Sequence, residues 1–159
     1  MKVILDATTT TKLAGSARTI LELKGGHVHT IDRTDTVYQA VAKMSEMQVG
    51  ALFVLEGTAL IGVISERDYA RKVILQGRAS KETRVEEIMT SPVISIEPAT
   101  PLAECMEIVT HRRVRHLPVL DHGQLVGVIS IGDLIYAIVE QQAQIIEQLN
   151  TVISGPYPA

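Results

Sequence analysis

The chain has 159 residues, 46% of them apolar, no Trp and a formal net charge of −3. That suits one compact domain, or two small halves sharing an aliphatic core, without disulfide staples. The mild acidity disfavours a general nucleic-acid binder, and no apolar run approaches the roughly 20 residues of a membrane span. Cys105 stands alone, so neither an intramolecular disulfide nor a Cys-rich metal site can form. It aligns with Ala40 in the repeat described below, which reads as a small buried packing position. Val3-Ile4-Leu5 is too short for a signal-peptide core, and the N-terminus lacks the Arg-rich character of a transit peptide. A soluble cytoplasmic protein is therefore the default expectation.

Residues 1–15, with the polar run Thr8-Thr9-Thr10-Thr11-Lys12, read as a flexible lead-in. Ser16 can cap a short helix carrying Ile20, Leu21 and Leu23, which Gly25-Gly26 breaks. Val28 to Ile31 reads as a strand. Asp35 or Thr36 caps the next helix, in which Val37, Ala40, Val41, Met44 and Met47 recur at helical spacing up to Gly50. Ala51–Leu55 and Ala59–Ile64 form a hairpin around Glu56-Gly57-Thr58, and a helix from Glu66 to about Gln76 stops at Gly77. Residues 78–84 are polar and read as a linker.

The same plan then restarts. Leu60-Ile61-Gly62-Val63-Ile64-Ser65-Glu66-Arg67-Asp68 reappears as Leu125-Val126-Gly127-Val128-Ile129-Ser130-Ile131-Gly132-Asp133, at an offset of 65 without a gap. Val85 and Ile88 match Ile20 and Leu23, and Val93, Ser95 and Ile96 match the first strand. Pro101-Leu102 opens a helix with Pro in its first turn. Leu117–Leu120 and Gln124–Ile129 are a second hairpin turning at Asp121-His122-Gly123. Pro118 lacks an amide donor, which suits an edge strand or a strand start. The last helix begins near Ile131 and continues past Leu149, and its apolar stripe beyond Glu140 suggests a subunit interface. The fold class is α/β: two tandem βαββα units spanning 16–77 and 85–150, followed by a tail, 151–159.

Each repeat breaks at Ser-x-x-Asp: Ser65 with Asp68, Ser130 with Asp133. That spacing is a form of capping box, in which side chains satisfy the free amides of a helix start. An Asp held on a first helical turn can equally accept hydrogen bonds from both hydroxyls of a ribose, with the Ser hydroxyl beside it. Arg112, Arg113 and Arg115, with His111 and His116, form the densest basic stretch. They suit either a solvated helix end or a phosphate clamp. The positions aligned with the three arginines in the first repeat, Met47, Gln48 and Gly50, are uncharged, so the fold does not require the basic cluster. Arg67, aligned with Gly132, is another one-sided charge, to which Arg71 and Lys72 could add. Gly62 and Gly127 within strands mark close approach by neighbouring chain. His27 and His29 would share one side of a strand, but no third ligand is apparent and no metal site is expected. Neither a phosphate-cradling Gly-rich loop with Lys nor a nucleophile–base–acid set can be nominated, so the chain is not expected to be an enzyme.

Two βαββα units ending in Gly-Val-Ile-Ser-x-x-Asp resemble a tandem pair of CBS domains, a Bateman module, over roughly Ile20 to Val139. Glu66–Lys72, Arg115-His116-Leu117-Pro118-Val119 and Val128–Leu134 look like small stand-alone bacterial CBS-pair regulatory proteins. The resemblance implies repeats related by a pseudo-two-fold axis, clefts between them that bind adenosyl compounds, and disc-shaped homodimers. It favours ribose recognition for Asp68 and Asp133. It also brings in Thr30 and Ser95 as hydroxyls near a nucleoside, and Val28 and Val93 as backbone contacts or an apolar wall for the base. The expected function is a regulatory sensor of an adenine nucleotide, AMP foremost, with ADP, ATP or NAD(H) as alternatives, signalling to a regulated protein partner. The alternative is an interaction module docking on an enzyme or a thioredoxin-type redox partner, with a vestigial ligand site.

Overall fold

The computed structural model of the protein describes residues 13–153. Most of the lead-in expected over residues 1–15, and most of the tail, lie outside the described residues. The helices are α1 (Ala17–Lys24), α2 (Val37–Met47), α3 (Glu66–Tyr69), α4 (Val85–Ile88), α5 (Leu102–Arg112) and α6 (Ile131–Ile153). The strands are β1 (Thr30–Asp32), β2 (Ala51–Glu56), β3 (Ala59–Ser65), β4 (His116–Asp121) and β5 (Gln124–Ser130). The chain divides into two compact units. One holds α1, residues 96–117 and 129–153; the other holds residues 26–95 and 118–128.

In the unit containing residues 26–95, β1 runs parallel to β2, and β2 pairs antiparallel with β3. A register shift lies between Val54 and Leu55. The apolar residues of α2 fall on one face, and Val37, Ala40 and Met44 pack with Ile31, Leu52, Val54, Ile64, Val73, Val85 and Ile88 in a buried aliphatic core. Thr36 is the cap of α2: the Gln39 amide donates to Thr36 Oγ1 at 3.2 Å, and Gln39 Oε1 accepts from the Thr36 amide at 2.8 Å. The reciprocal pair satisfies two amides of the helix start. The polar segment before α4 is stitched to the same helix end. The Thr83 and Ser80 carbonyls accept from the Val37 and Tyr38 amides at 2.8 and 3.0 Å.

Several boundaries differ from the sequence expectation for local reasons. Helix α2 stops at Met47, because Gln48 adopts the left-handed conformation at φ 55°, ahead of Gly50. The helix expected from Glu66 to Gln76 is α-helical only to Tyr69. A π-helical turn, Ala70–Ile74, follows, with the Leu75 amide reaching back five residues to the Ala70 carbonyl. Pro101 is the cap of α5 rather than a first-turn residue. Residues 93–96 form no strand, only a bridge position at Ile96. Pro92 and Pro98 flank this stretch, and prolines cannot donate to a ladder. The second sheet is therefore β4 and β5 alone, which leaves Pro118 on an edge strand. Both hairpins turn over two residues, with Gly57 and Gly123 at positive φ. The close approach expected at Gly62 comes from Met89 and Thr90: a Cβ there would lie 2.5 Å from Met89 Sδ.

In the unit containing α6, α1 is moored by its first amides. Ala17 donates to the Thr100 carbonyl and Arg18 to the Pro98 carbonyl, each at 2.9 Å. Ala17, Ile20, Leu102, Cys105, Val109, Leu117, Ile129 and Leu134 are buried here, and α5 packs on α6. Cys105 fills the small packing position expected of it, and burial pushes its thiol up to about 11.

Candidate functional site

The two Ser-x-x-Asp junctions have the same local geometry and different surroundings. At the first, the Asp68 amide donates to Ser65 Oγ at 3.1 Å, while Asp68 Oδ2 accepts from the Ser65 amide and the Ser65 hydroxyl, both at 3.0 Å. The other oxygen is occupied as well. Oδ1 accepts from the Thr90 hydroxyl at 3.1 Å and pairs with Lys72 Nζ at 3.0 Å. Thr90 reaches it because its backbone exchanges hydrogen bonds with Val63, at 2.8 and 3.0 Å, extending β3 by one bridge. Lys72 also donates to the Ile88 carbonyl at 2.8 Å. The Asp68 side chain is 12% exposed, and donors from the protein itself engage both of its oxygens.

The second junction is more open. The Asp133 amide donates to Ser130 Oγ at 3.1 Å, and Asp133 Oδ2 accepts from the Ser130 amide at 2.8 Å and from Lys24 Nζ at 2.7 Å. Among the described residues no donor reaches Oδ1. The side chain is 24% exposed, twice the value at Asp68. Burial pushes the Asp133 carboxyl up, but hydrogen bonds from Lys24 and Ser130 outweigh it and hold the group below its ordinary 3.8. The Arg115 carbonyl accepts from the Ile131 amide at 2.9 Å, which ties the basic stretch to the start of α6. Burial, then the positive charge of Lys24, lowers the His116 imidazole below its ordinary 6.5; Asp133 opposes the shift and Arg115 adds to it. His116 is thus neutral at pH 7.

Lys24, Arg115, His116, Ser130 and Asp133 therefore share one corner. Arg113 caps α5 in the left-handed conformation, and Arg67 follows Ser65 on α3; both are exposed. Among the described residues, the guanidinium groups of Arg67, Arg113 and Arg115 make no hydrogen bond or ion pair. Thr30 opens β1, where its carbonyl accepts from Lys43. With Asp32, Asp35, Gln39 and Lys43 it lines an open depression. Val28 and Val93 are half-buried and Ser95 is exposed; their side chains join neither Asp network. The His27 and His29 rings meet edge to face at 4.6 Å, and among the described residues no group of three or more His, Cys, Asp or Glu could hold a metal. Lys24 and Thr90 escaped the sequence reading. Only the position of Lys24, a cation at a helix end before Gly25-Gly26, was there to be noticed.

A chain that repeats one helix-and-hairpin unit, with a Ser-x-x-Asp junction at the end of each hairpin, is an internally duplicated α/β module. Its residues 25–74 and 85–140 match the CBS domain. The chain belongs to the CBS domain family. It is 44% identical over 128 residues to the mitochondrial CBS domain-containing protein CBSX3 of Arabidopsis thaliana, across 77% of this chain and 62% of that protein. A CBS domain-containing protein of Bacillus subtilis is 33% identical over 107 residues, covering 67% of this chain and 76% of that one. Among solved structures, a proposed signal-transduction protein with CBS domains from Burkholderia ambifaria superposes with a TM-score of 0.73 at 47% identity, covering 80% of this chain and 96% of that chain. The chain thus spans less than two thirds of the length of the Arabidopsis relative. CBS domain proteins are in general regulatory, nucleotide-binding modules. No helix among the described residues is long and apolar enough to cross a membrane.

Proposed function

We propose that this chain is a regulatory protein that binds an adenine nucleotide, AMP foremost, at the Ser130–Asp133 junction and signals its occupancy to a protein partner. One observation carries the reading: Asp133 Oδ1 has no donor among the described residues, whereas both oxygens of Asp68 are engaged. A ribose hydroxyl can donate to that oxygen, with the Ser130 hydroxyl beside it. The Arg115 guanidinium, tied through its backbone to the same corner, suits a phosphate, and Arg113 lies two residues before it. Binding would bias how the module packs, and a partner would read the shift. The test is calorimetric titration with AMP. One AMP per chain is the expected result. Two per chain would mean that the Asp68 junction opens as well, and no heat with protein shown to be nucleotide-free would sink the reading.

A second reading, self-association, rests on α6. Ile135, Val139, Ile146 and Leu149 recur at helical spacing and are all exposed, a stripe that calls for a covering surface. We infer a homodimer formed through this helix. The Gln141 side chain clips α6 to Ala14, accepting from its amide at 2.9 Å and donating to its carbonyl at 2.8 Å. A truncation should therefore spare that clip. Deleting residues 143–159 should convert a dimer to a monomer at micromolar concentration in sedimentation runs while leaving the far-ultraviolet dichroism of the remaining chain native. A full-length protein that is already monomeric would refute the dimer.

A further inference from the structure

Lys24 is the last residue of α1, and its ammonium lies 2.7 Å from Asp133 Oδ2 across 109 residues of sequence. The same oxygen accepts the Ser130 amide at 2.8 Å, so Oδ2 carries two donors and Oδ1 none among the described residues. A ribose presents two adjacent hydroxyls, and a carboxylate receives both only if each oxygen has a lone pair to offer. The first hydroxyl meets an open Oδ1. The second must contend with Lys24 for Oδ2.

The ion pair is built to let go. Both partners are partly exposed, at 33% and 24%, and such pairs are weak in water. The lysine stem is flexible and ends in a compact point charge. The next residue, Gly25, has φ 87° and open space where a side chain would be. A displaced ammonium beside Arg115 and the neutral His116 raises an already positive local field. An anion on the ligand relieves that field, and a neutral ligand cannot.

We propose that Lys24 is a transferable cation that sets the preference of the Asp133 corner for nucleotides over nucleosides, neutralising Asp133 in the ligand-free protein and moving to the ligand's phosphate when a ribose takes the carboxylate. This rests on the nucleotide reading given above. Lys24 is then both competitor and contact. For a nucleoside it only competes; for a nucleotide it exchanges one anion for another.

The experiment titrates wild-type protein, Lys24→Met and Asp133→Asn with AMP and with adenosine. In Lys24→Met, adenosine should bind several-fold tighter than to wild type, because its competitor is gone. AMP should bind roughly tenfold weaker, because a charge-assisted contact is lost. Opposite signs for the two ligands are the signature. Lys24→Gln, which keeps most of the stem and its packing, should follow Lys24→Met. Equal changes for both ligands, or none for either, would overturn the role of Lys24. If wild type binds AMP and adenosine equally and Asp133→Asn abolishes both, the Lys24 proposal falls and the nucleotide reading stands. If wild type binds neither, both fall.

Discussion

Asp68→Ala should be the more damaging of the two aspartate truncations by a wide margin, lowering the unfolding free energy by about 2–4 kcal/mol in chemical denaturation. The magnitude follows from what the carboxylate holds. The carboxylate closes the capping box by accepting from the Ser65 amide, and each charge-assisted hydrogen bond lost from a largely buried group is worth roughly 1.5–3 kcal/mol. Relaxation and water recover part of the sum, because Lys72 is 40% exposed and can be resolvated. Thr90 cannot follow so easily: its hydroxyl is aimed at Asp68 by the backbone bridge to Val63. Asp68→Asn retains the cap and one acceptor oxygen and should lose about half as much. Neither change should weaken AMP binding by more than the loss of folded protein accounts for. If Asp68→Asn leaves stability untouched and abolishes AMP binding, the assignment of the two junctions is reversed.

Asp133→Asn should do the opposite. The substituted amide keeps a side-chain oxygen to accept from the Ser130 amide in the capping box, and the pair lost with Lys24 is partly exposed, so apo stability should fall by less than about 1 kcal/mol. AMP affinity should drop roughly tenfold to a hundredfold, the worth of one charged acceptor facing a ribose. At an AMP concentration a hundred times the wild-type dissociation constant, binding stabilises the wild-type fold by about 2.7 kcal/mol. A hundredfold weaker variant would retain only about 0.4 kcal/mol of that under the same conditions. A thermal-shift series in AMP reads the difference directly. The pH dependence has a fixed sign. Because the folded protein holds the Asp133 carboxyl below its ordinary 3.8, its contribution to stability is fully present above that value and is lost as pH falls through the lowered one. Wild type and Asp133→Asn should therefore converge in stability at low pH. Full retention of the AMP shift by the variant would leave Asp133 a helix cap and nothing more.

Sequence alone carried the duplication, the two hairpins and the long last helix, because each is a local pattern. Gly57 and Gly123 mark two-residue turns, the strands are β-branched, and Leu134, Ile138, Ile145 and Leu149 keep a helical period. It carried the Ser-x-x-Asp junctions for the same reason, but not what separates them. Thr90 lies 22 residues from Asp68, and Lys24 lies 109 from Asp133. Nothing in either local pattern announces that one carboxylate is saturated and the other half-open. The strand expected near Val93 was misjudged because repeat alignment transfers a pattern without its hydrogen-bond partners. Val28–Ile31 had β2 beside it, where β1 forms at Thr30–Asp32, whereas the stretch between Pro92 and Pro98 forms no strand and has only a bridge position at Ile96. Nothing in the repeat pattern announces that α1 groups with residues 96–117 and 129–153. That grouping is what carries Lys24 to Asp133.

The buried thiol of Cys105 limits how this chain could take part in redox signalling. With its pKa raised to about 11, only about one molecule in ten thousand would be a thiolate at pH 7, and that fraction is shut inside the α5 packing. Disulfide exchange requires an accessible thiolate, and this chain has no second cysteine to resolve a mixed disulfide. Were the chain to report on an electron carrier or a reductase, its own sulfur would be a bystander. The message would have to travel as occupancy of a binding site, so mutating Cys105 to Ser or Ala should leave it intact.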